Sequence, residues 1–175
     1  MTVFESEHFV VRTFADEDAP DCEFFLSDRK VMQFIGDGSF SLEKTSAIKM
    51  LQWFRQSCEN SLGLGIWAIV SKKTNKVIGL CHLSDCAPTE ATEFGLALER
   101  SHWGQGYATE ICRALLEYGK TSLQLKDIVG AVHIENFVSK RLLEKLGYRF
   151  DRFIDHHGIR QELFRRFSHP SRAPG

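Results

Sequence analysis

The stretch Trp103-Gly104-Gln105-Gly106-Tyr107-Ala108-Thr109-Glu110 constrains this chain more than any other. Two glycines one residue apart stand where an apolar strand, Phe94 to Leu98, gives way to a helix. From Ala108 on, apolar residues recur at 108, 111, 112, 115 and 116, the stripe of a half-buried helix. The first N–H groups of such a helix have no intrahelical partner and carry the positive end of its dipole. Glycine places no Cβ between that backbone and a ligand. Strand, Gly-x-Gly turn and helix start together predict an anion cradle, most naturally for a pyrophosphate. The pattern is not a Walker loop, because no Gly-Lys-Ser/Thr follows. It is not a dinucleotide fingerprint either, because Thr109 stands where the third glycine belongs. A plain tight turn is the competing reading.

A chain of 175 residues, 43% hydrophobic, has the size of one globular domain with a substantial core. No run approaches the roughly 20 apolar residues of a membrane span. The start, Met1-Thr2-Val3-Phe4-Glu5, lacks the features of a secretion signal, so a cytoplasmic protein with no membrane partner is expected. A net charge of −1 with scattered basic residues argues against nucleic acid as a partner. Cysteines 22, 58, 81, 86 and 112 form no Cys-x-x-Cys pair, which predicts free thiols and no metal site.

Periodicity predicts the elements in turn. His8 to Phe14 alternates as a first strand. Asp16-Glu17-Asp18-Ala19-Pro20 opens a helix that runs towards Phe34-Ile35 and stops at Gly36-Asp37-Gly38. Ser41 caps a second helix with Ile48, Leu51, Phe54 and Cys58 on one face. Strands at 66–70 and 76–83 are joined by Lys73-Thr74-Asn75, and a third runs from Thr92 to Leu98. The glycine turn and its helix, to about Ser122, lead to a buried strand at 127–134. A short helix over 137–146 turns Val138, Leu142, Leu143 and Leu146 to the core and ends at Gly147. A hairpin of 148–154 and 159–167 closes the chain around His156-His157-Gly158. The result is one α+β domain over residues 5–168, with a loose tail over 169–175.

Chemistry has few places to sit. On the strand before the cradle, Phe94, Leu96 and Leu98 share the core face. Glu93, Gly95 and Ala97 share the other, one carboxylate above two nearly bare positions with room for a ligand, and a solvated Glu beside a bulge glycine is the competing reading. Asn136 is a natural N-cap that puts Ser139 at N3, where a hydroxyl near the helix's positive end can donate to a developing thiolate or oxyanion. Plain capping is the competing reading. His133 reads as a satisfied interior residue, His156 and His157 as solvated turn residues or as the border of a substrate entrance, and Cys112 and Trp103 as packing. Acids at 16–18 and 21 serve either as helix-start charges or as attractors of a cationic amine.

Glu93-Phe94-Gly95, the glycine motif at 103–110, and Asn136-x-x-Ser139 followed by Glu144-Lys145-Leu146-Gly147-Tyr148 together resemble the GNAT acetyltransferases. The likeness is greatest to the branch containing the ribosomal-protein N-terminal acetyltransferases. It covers about residues 5 to 168. It implies a central mixed, mostly antiparallel sheet with a splayed strand pair and flanking helices, and acetyl-CoA as cosubstrate. On this pattern Leu96 and Leu98 offer backbone contacts to pantetheine, and Gly104, Gln105, Gly106, Tyr107, Ala108 and Thr109 hold the pyrophosphate. Asn136 bonds the pantetheine arm, Ser139 assists the departing thiolate, and Glu93 accepts the proton of the attacking amine. Ser101 and Arg100 depart from the Arg or Gln and the Pro common there. The expected partner is a primary amine, on a protein N-terminus or a small molecule, with monomer and homodimer both open. The alternative is a catalytically silent acyl-CoA-binding module.

Overall fold

Short segments rich in Val, Ile and Phe pair into one eight-stranded sheet in the computed structural model, which describes residues 1–35, 46–59, 63–87, 89–156 and 158–167. The strands are β1 (Thr2–Glu5), β2 (Phe9–Arg12), β3 (Gly65–Ser71), β4 (Val77–Asp85), β5 (Thr92–Leu98), β6 (Ile128–His133), β7 (Arg149–His156) and β8 (Ile159–Arg165). They lie in the order β1-β2-β3-β4-β5-β6-β8-β7. Only β5 and β6 run parallel, because α4 (Tyr107–Thr121) carries the chain back between them. The other helices are α1 (Ala19–Leu26), α2 (Arg29–Met32), α3 (Ala47–Glu59) and α5 (Phe137–Lys145).

Both sheet faces are covered. On one, Ile111, Cys112, Leu115 and Leu116 of α4 and Leu143 of α5 pack against Trp67, Ile69, Ile78, Cys81, Leu83 and Phe94. On the other, Cys22 and Phe25 of α1 and Leu51 and Phe54 of α3 pack against Ala68, Val70, Leu80 and Ala97. Each such side chain taken fully out of water contributes about 1.5–3 kcal/mol, so the α4 stripe anchors the glycine turn that precedes it.

The register of the central strands shapes the site. β4 follows β5 along its whole length, from Asp85↔Thr92 to Gly79↔Leu98. β6 meets β5 only at Thr92↔Ile128 and Glu93↔Val129, then turns to β8 from Gly130↔Phe164 to His133↔Gln161. The sheet forks immediately past Glu93.

Several expectations need correction. The first strand is Phe9–Arg12, preceded by β1, a half-exposed edge strand too short to show a period. The first helix is divided into a 3-10 turn (Asp16–Asp18), α1 and α2, because the Asp28 side chain accepts the Lys30 N–H at 2.9 Å and starts a new helix. In α3 the buried face is Ala47, Met50, Leu51 and Phe54, which leaves Ile48 at 50% exposure. Val138 is 77% exposed, because the first turn of α5 borders a cleft and not the core. The expectations for Gly36-Asp37-Gly38, Ser41, His157 and the tail lie outside the described residues.

Candidate active site

The fork opens a cleft of about 500 Å³ lined from β4, β5, β6, α3 and α5. Between β5 and α4 the glycine turn has the expected form. Gly104 and Gly106 adopt φ of +74° and +83°, and a Cβ at either would meet nothing within 4 Å. Gly106 is the N-cap of α4, and no side chain caps that end. Among the described residues no backbone hydrogen bond occupies the amides from Gly104 to Ala108. The Thr109 and Glu110 amides turn back to the Gly106 carbonyl at 3.0 and 3.2 Å, so the open cradle stops one residue short of Thr109. Gln105 braces the turn by donating to the Ser101 carbonyl at 2.7 Å. The helix start is fixed from outside: the Glu110 carboxylate accepts the His8 amide at 2.9 Å, and Phe9 meets Tyr107 edge-on at 4.9 Å. Open amides, left-handed glycines and a fifteen-residue helix dipole fit a diphosphate.

Glu93 stands at the vertex of the fork with two histidines around it. His156, expected in solvent, is 4% exposed, and its Nε2 lies 2.8 Å from Oε2 of Glu93. Its Nδ1 faces the Ala87 carbonyl. Both ring nitrogens therefore address acceptors, which only the doubly protonated ring can satisfy as a donor. The hydrogen bond to Glu93 accordingly raises the His156 pKa above 6.5, against the opposing effect of burial. His82 of β4 has the opposite electrostatics: burial pushes its pKa below 6.5, with the Glu93 carboxylate opposing. Its Nε2 is 3.9 Å from Oε1 of Glu93. A Cβ at Gly95 would lie 2.7 Å from that nitrogen, so the room over Gly95 expected for a ligand is filled by the His82 ring. Ala97 is likewise taken, buried against the α1–α3 side.

Cys86 completes the surroundings of the pair. Its sulfur, a Glu93 oxygen and a His156 nitrogen lie within 4.8 Å of one another, a gathering of metal-capable donors completed by a residue far along the chain. Two of those donors are already joined as the ion pair, and burial raises the Cys86 thiol pKa.

On the opposite strand of the fork the Asn136 side chain accepts the Ser139 N–H at 3.1 Å, so Asn136 caps α5 and Ser139 takes position N3. Both line the cleft, as do Leu96 and His133. Leu98 does not: its carbonyl accepts the Trp103 indole N–H at 2.7 Å. Trp103 is thus tied by a hydrogen bond at 47% exposure and is not simply packed. Three of the four acids of the first helix are held in structural bonds. Asp18 takes Arg12 in a two-pronged pair at 2.7 Å, Asp16 pairs with Arg55 at 2.7 Å, and Asp21 accepts the Val77 amide at 3.1 Å. Arg100 pairs with Asp28 at the foot of the glycine turn.

The helix start suits phosphates, the fork suits an extended arm, and Glu93 at its vertex suits a proton acceptor. This is the division of labour of an acyltransferase. The family model for the acetyltransferase (GNAT) domain matches residues 8–149, and the chain belongs to that family. It is an acetyltransferase, and its cosubstrate is acetyl-CoA. It is 31% identical over 151 residues to the uncharacterized N-acetyltransferase p20 of Bacillus licheniformis, covering 85% of this chain and 83% of that one. Among solved structures it superposes on the ribosomal-protein-S5-alanine acetyltransferase of Vibrio fischeri with a TM-score of 0.72, at 20% identity over 97% and 98% of the two chains. It also superposes on RimL, a ribosomal L7/L12 α-N-protein acetyltransferase in complex with coenzyme A, with a TM-score of 0.76 at 15% identity over 95% and 97%.

Proposed function

We propose that the protein moves an acetyl group from acetyl-CoA to a primary amine, on a protein N-terminus or a small molecule, by direct attack in a ternary complex. The observation that carries this reading is the position of Glu93 at the last paired residue before the strands part. A ligand arm held in the fork is thereby led to a carboxylate.

Acetyl-CoA supplies a thioester carbonyl, and the residues of the chain do the rest. The attacking amine must be neutral. An α-amine of pKa about 8 needs only a modest base, whereas a lysine at about 10.4 must give up far more. With Oε2 of Glu93 held by His156, Oε1 is the oxygen that takes the proton, directly or through a water. Ser139 at the start of α5 donates to the departing sulfur. The amides from Gly104 to Ala108 hold the diphosphate. The five unpaired cysteines support a reducing, cytoplasmic setting.

The test is thiol release from acetyl-CoA over a panel of amines, with Glu93→Gln alongside. Turnover that falls about a hundredfold in the variant and changes its pH profile supports the reading. Acetyl-CoA binding with no turnover of any amine would replace it with a silent acyl-CoA-binding module.

A further inference from the structure

Cys86, Glu93 and His156 bring a thiol, a carboxylate and an imidazole to one point of the fold. Among the described residues it is the one place where three such donors gather this closely. Sulfur, nitrogen and oxygen together make a donor set for zinc, whereas calcium and magnesium take oxygen alone. The way the ring is held points the same way. Nδ1 of His156 faces the Ala87 carbonyl, which can only accept, so Nδ1 carries a proton and Nε2 is the nitrogen turned to Glu93. A ring N–H given to a backbone carbonyl is the outer contact that orients a metal-binding histidine. Here that carbonyl belongs to the residue next to Cys86, so one short segment both supplies the sulfur and aims the ring.

Access and spacing fit an ion. Glu93 and His156 line the cleft, and Cys86 is fully buried, so an ion entering from the cleft meets the carboxylate and the ring before the sulfur. Around a tetrahedral zinc, ligand atoms bound at about 2.0–2.3 Å stand about 3.3–3.7 Å apart. The ring and carboxylate, now at 2.8 Å, open to reach that spacing, and the sulfur, within 4.8 Å of both, closes in. Three protein ligands leave a fourth position for water. Binding exchanges protons for the ion. Nε2 of His156 and Sγ of Cys86 each release one to solvent, and the Glu93 oxygen exchanges its ring N–H for the metal. Burial raises the pKa of the Cys86 thiol, and the charge of a bound ion overcomes this by deprotonating its sulfur ligand.

We propose that these three residues form an inhibitory zinc site. Zinc held by Sγ of Cys86, the Glu93 carboxylate and Nε2 of His156 takes Glu93 out of proton transfer. The inhibition rests on the acetyl-transfer reading, in which Glu93 is the proton acceptor, whereas the metal site stands without it. Zinc is then a reversible off-switch, lifted by a stronger chelator.

Binding can be read apart from turnover by titrating zinc into the full-length protein against a chelating dye. Cys86→Ala should weaken zinc binding at least about a hundredfold, the upper end of what losing an outer partner costs. Cobalt in the same site should show a thiolate-to-metal charge-transfer band that the variant lacks. Cys86→Ser, closer in size to cysteine, gives both comparisons if the alanine variant does not fold. Without zinc, both variants should acetylate amines as wild type does, because Cys86 takes no part in the transfer. With zinc, wild-type turnover, followed as acetylated amine by mass spectrometry, should fall at least about tenfold and return on adding chelator, since Glu93 then no longer accepts the proton. Zinc that binds the variants as tightly as wild type overturns the proposal. So does a cobalt complex without the band, or Cys86-dependent zinc binding that leaves turnover untouched. Cys86-dependent binding by a protein that acetylates no amine would sustain the site and overturn the acetyl-transfer reading instead.

Discussion

His156 donates through Nε2 to Oε2 of Glu93 at 2.8 Å, tying the closing hairpin to the strand at which the sheet forks. The bond does two things at once. It turns Oε1 of Glu93 towards the cleft and His82, and it fixes β7 against β5 although β6 and β8 lie between them in the sheet. The carboxylate is thus oriented by a residue on the far side of the fork. A change in the hairpin reaches Glu93, the proposed proton acceptor, through it.

Removing the His156 ring orphans a buried carboxylate oxygen and the Ala87 carbonyl together. His156→Gln should cost about 1–3 kcal/mol in urea unfolding. That cost should depend on pH. The His156 pKa is raised on folding, so the stabilisation is complete below the unfolded value of about 6.5 and is lost as pH climbs through the folded value. The difference in unfolding free energy between wild type and variant, followed from about pH 5.5 to pH 9, should therefore shrink. A difference that stays level would mean that the ring is not a cation in the fold.

The glycines of the cradle and those of the sheet should respond oppositely to alanine. At Gly104 and Gly106 a new Cβ meets nothing, so the cost to the fold is the left-handed backbone alone, about 1–2 kcal/mol. The methyl then stands where a diphosphate would approach, and the Kd for acetyl-CoA should rise about tenfold or more, measured calorimetrically. At Gly79 a Cβ would lie 2.2 Å from the Ala97 carbonyl oxygen, so Gly79→Ala should lower Tm steeply. If the cradle variants bound acetyl-CoA like wild type, the glycines would be structural only.

The cradle was legible because its parts are contiguous: a strand, two left-handed glycines and a helix stripe within one stretch of sequence. The Asn136–Ser139 cap was legible for the same reason. The proposed acid–base group was not. Glu93, His82 and His156 sit on three strands, and only the pairing of the sheet brings them together. His156 beside Gly158 has the local pattern of a solvated turn, and nothing near it in sequence reports that the hairpin folds its ring inward. The failures at Ile48 and Val138 are of the same kind. Both fit a helical period, but which side of a short helix meets the sheet depends on its neighbours.

Ser139 and Asn136 should separate chemistry from binding. The Ser139 N–H that closes the cap is backbone, so Ser139→Ala leaves the cap intact and removes only the hydroxyl. Its kcat should fall about ten- to a hundredfold with the Kd for acetyl-CoA unchanged. Asn136→Ala removes the cap acceptor, costs about 1 kcal/mol of stability and should raise that Kd. An unaltered kcat in Ser139→Ala would remove the hydroxyl from the mechanism.

Gly95 offers a way to disturb the proposed acid–base group without substituting any of its side chains. Its missing Cβ is what allows the His82 ring to lie over β5, since an added methyl would stand 2.7 Å from Nε2. The ring is 28% exposed and can rotate away, so Gly95→Ala should fold with a small loss of Tm. The rotated ring no longer flanks Glu93, and turnover should fall about tenfold or more, with acetyl-CoA binding retained. His82→Ala should lose a similar factor, and the double variant should lose little beyond either single one, because both act on the same ring. Additive losses in the double variant would show that Gly95 acts on the rate by a route other than His82.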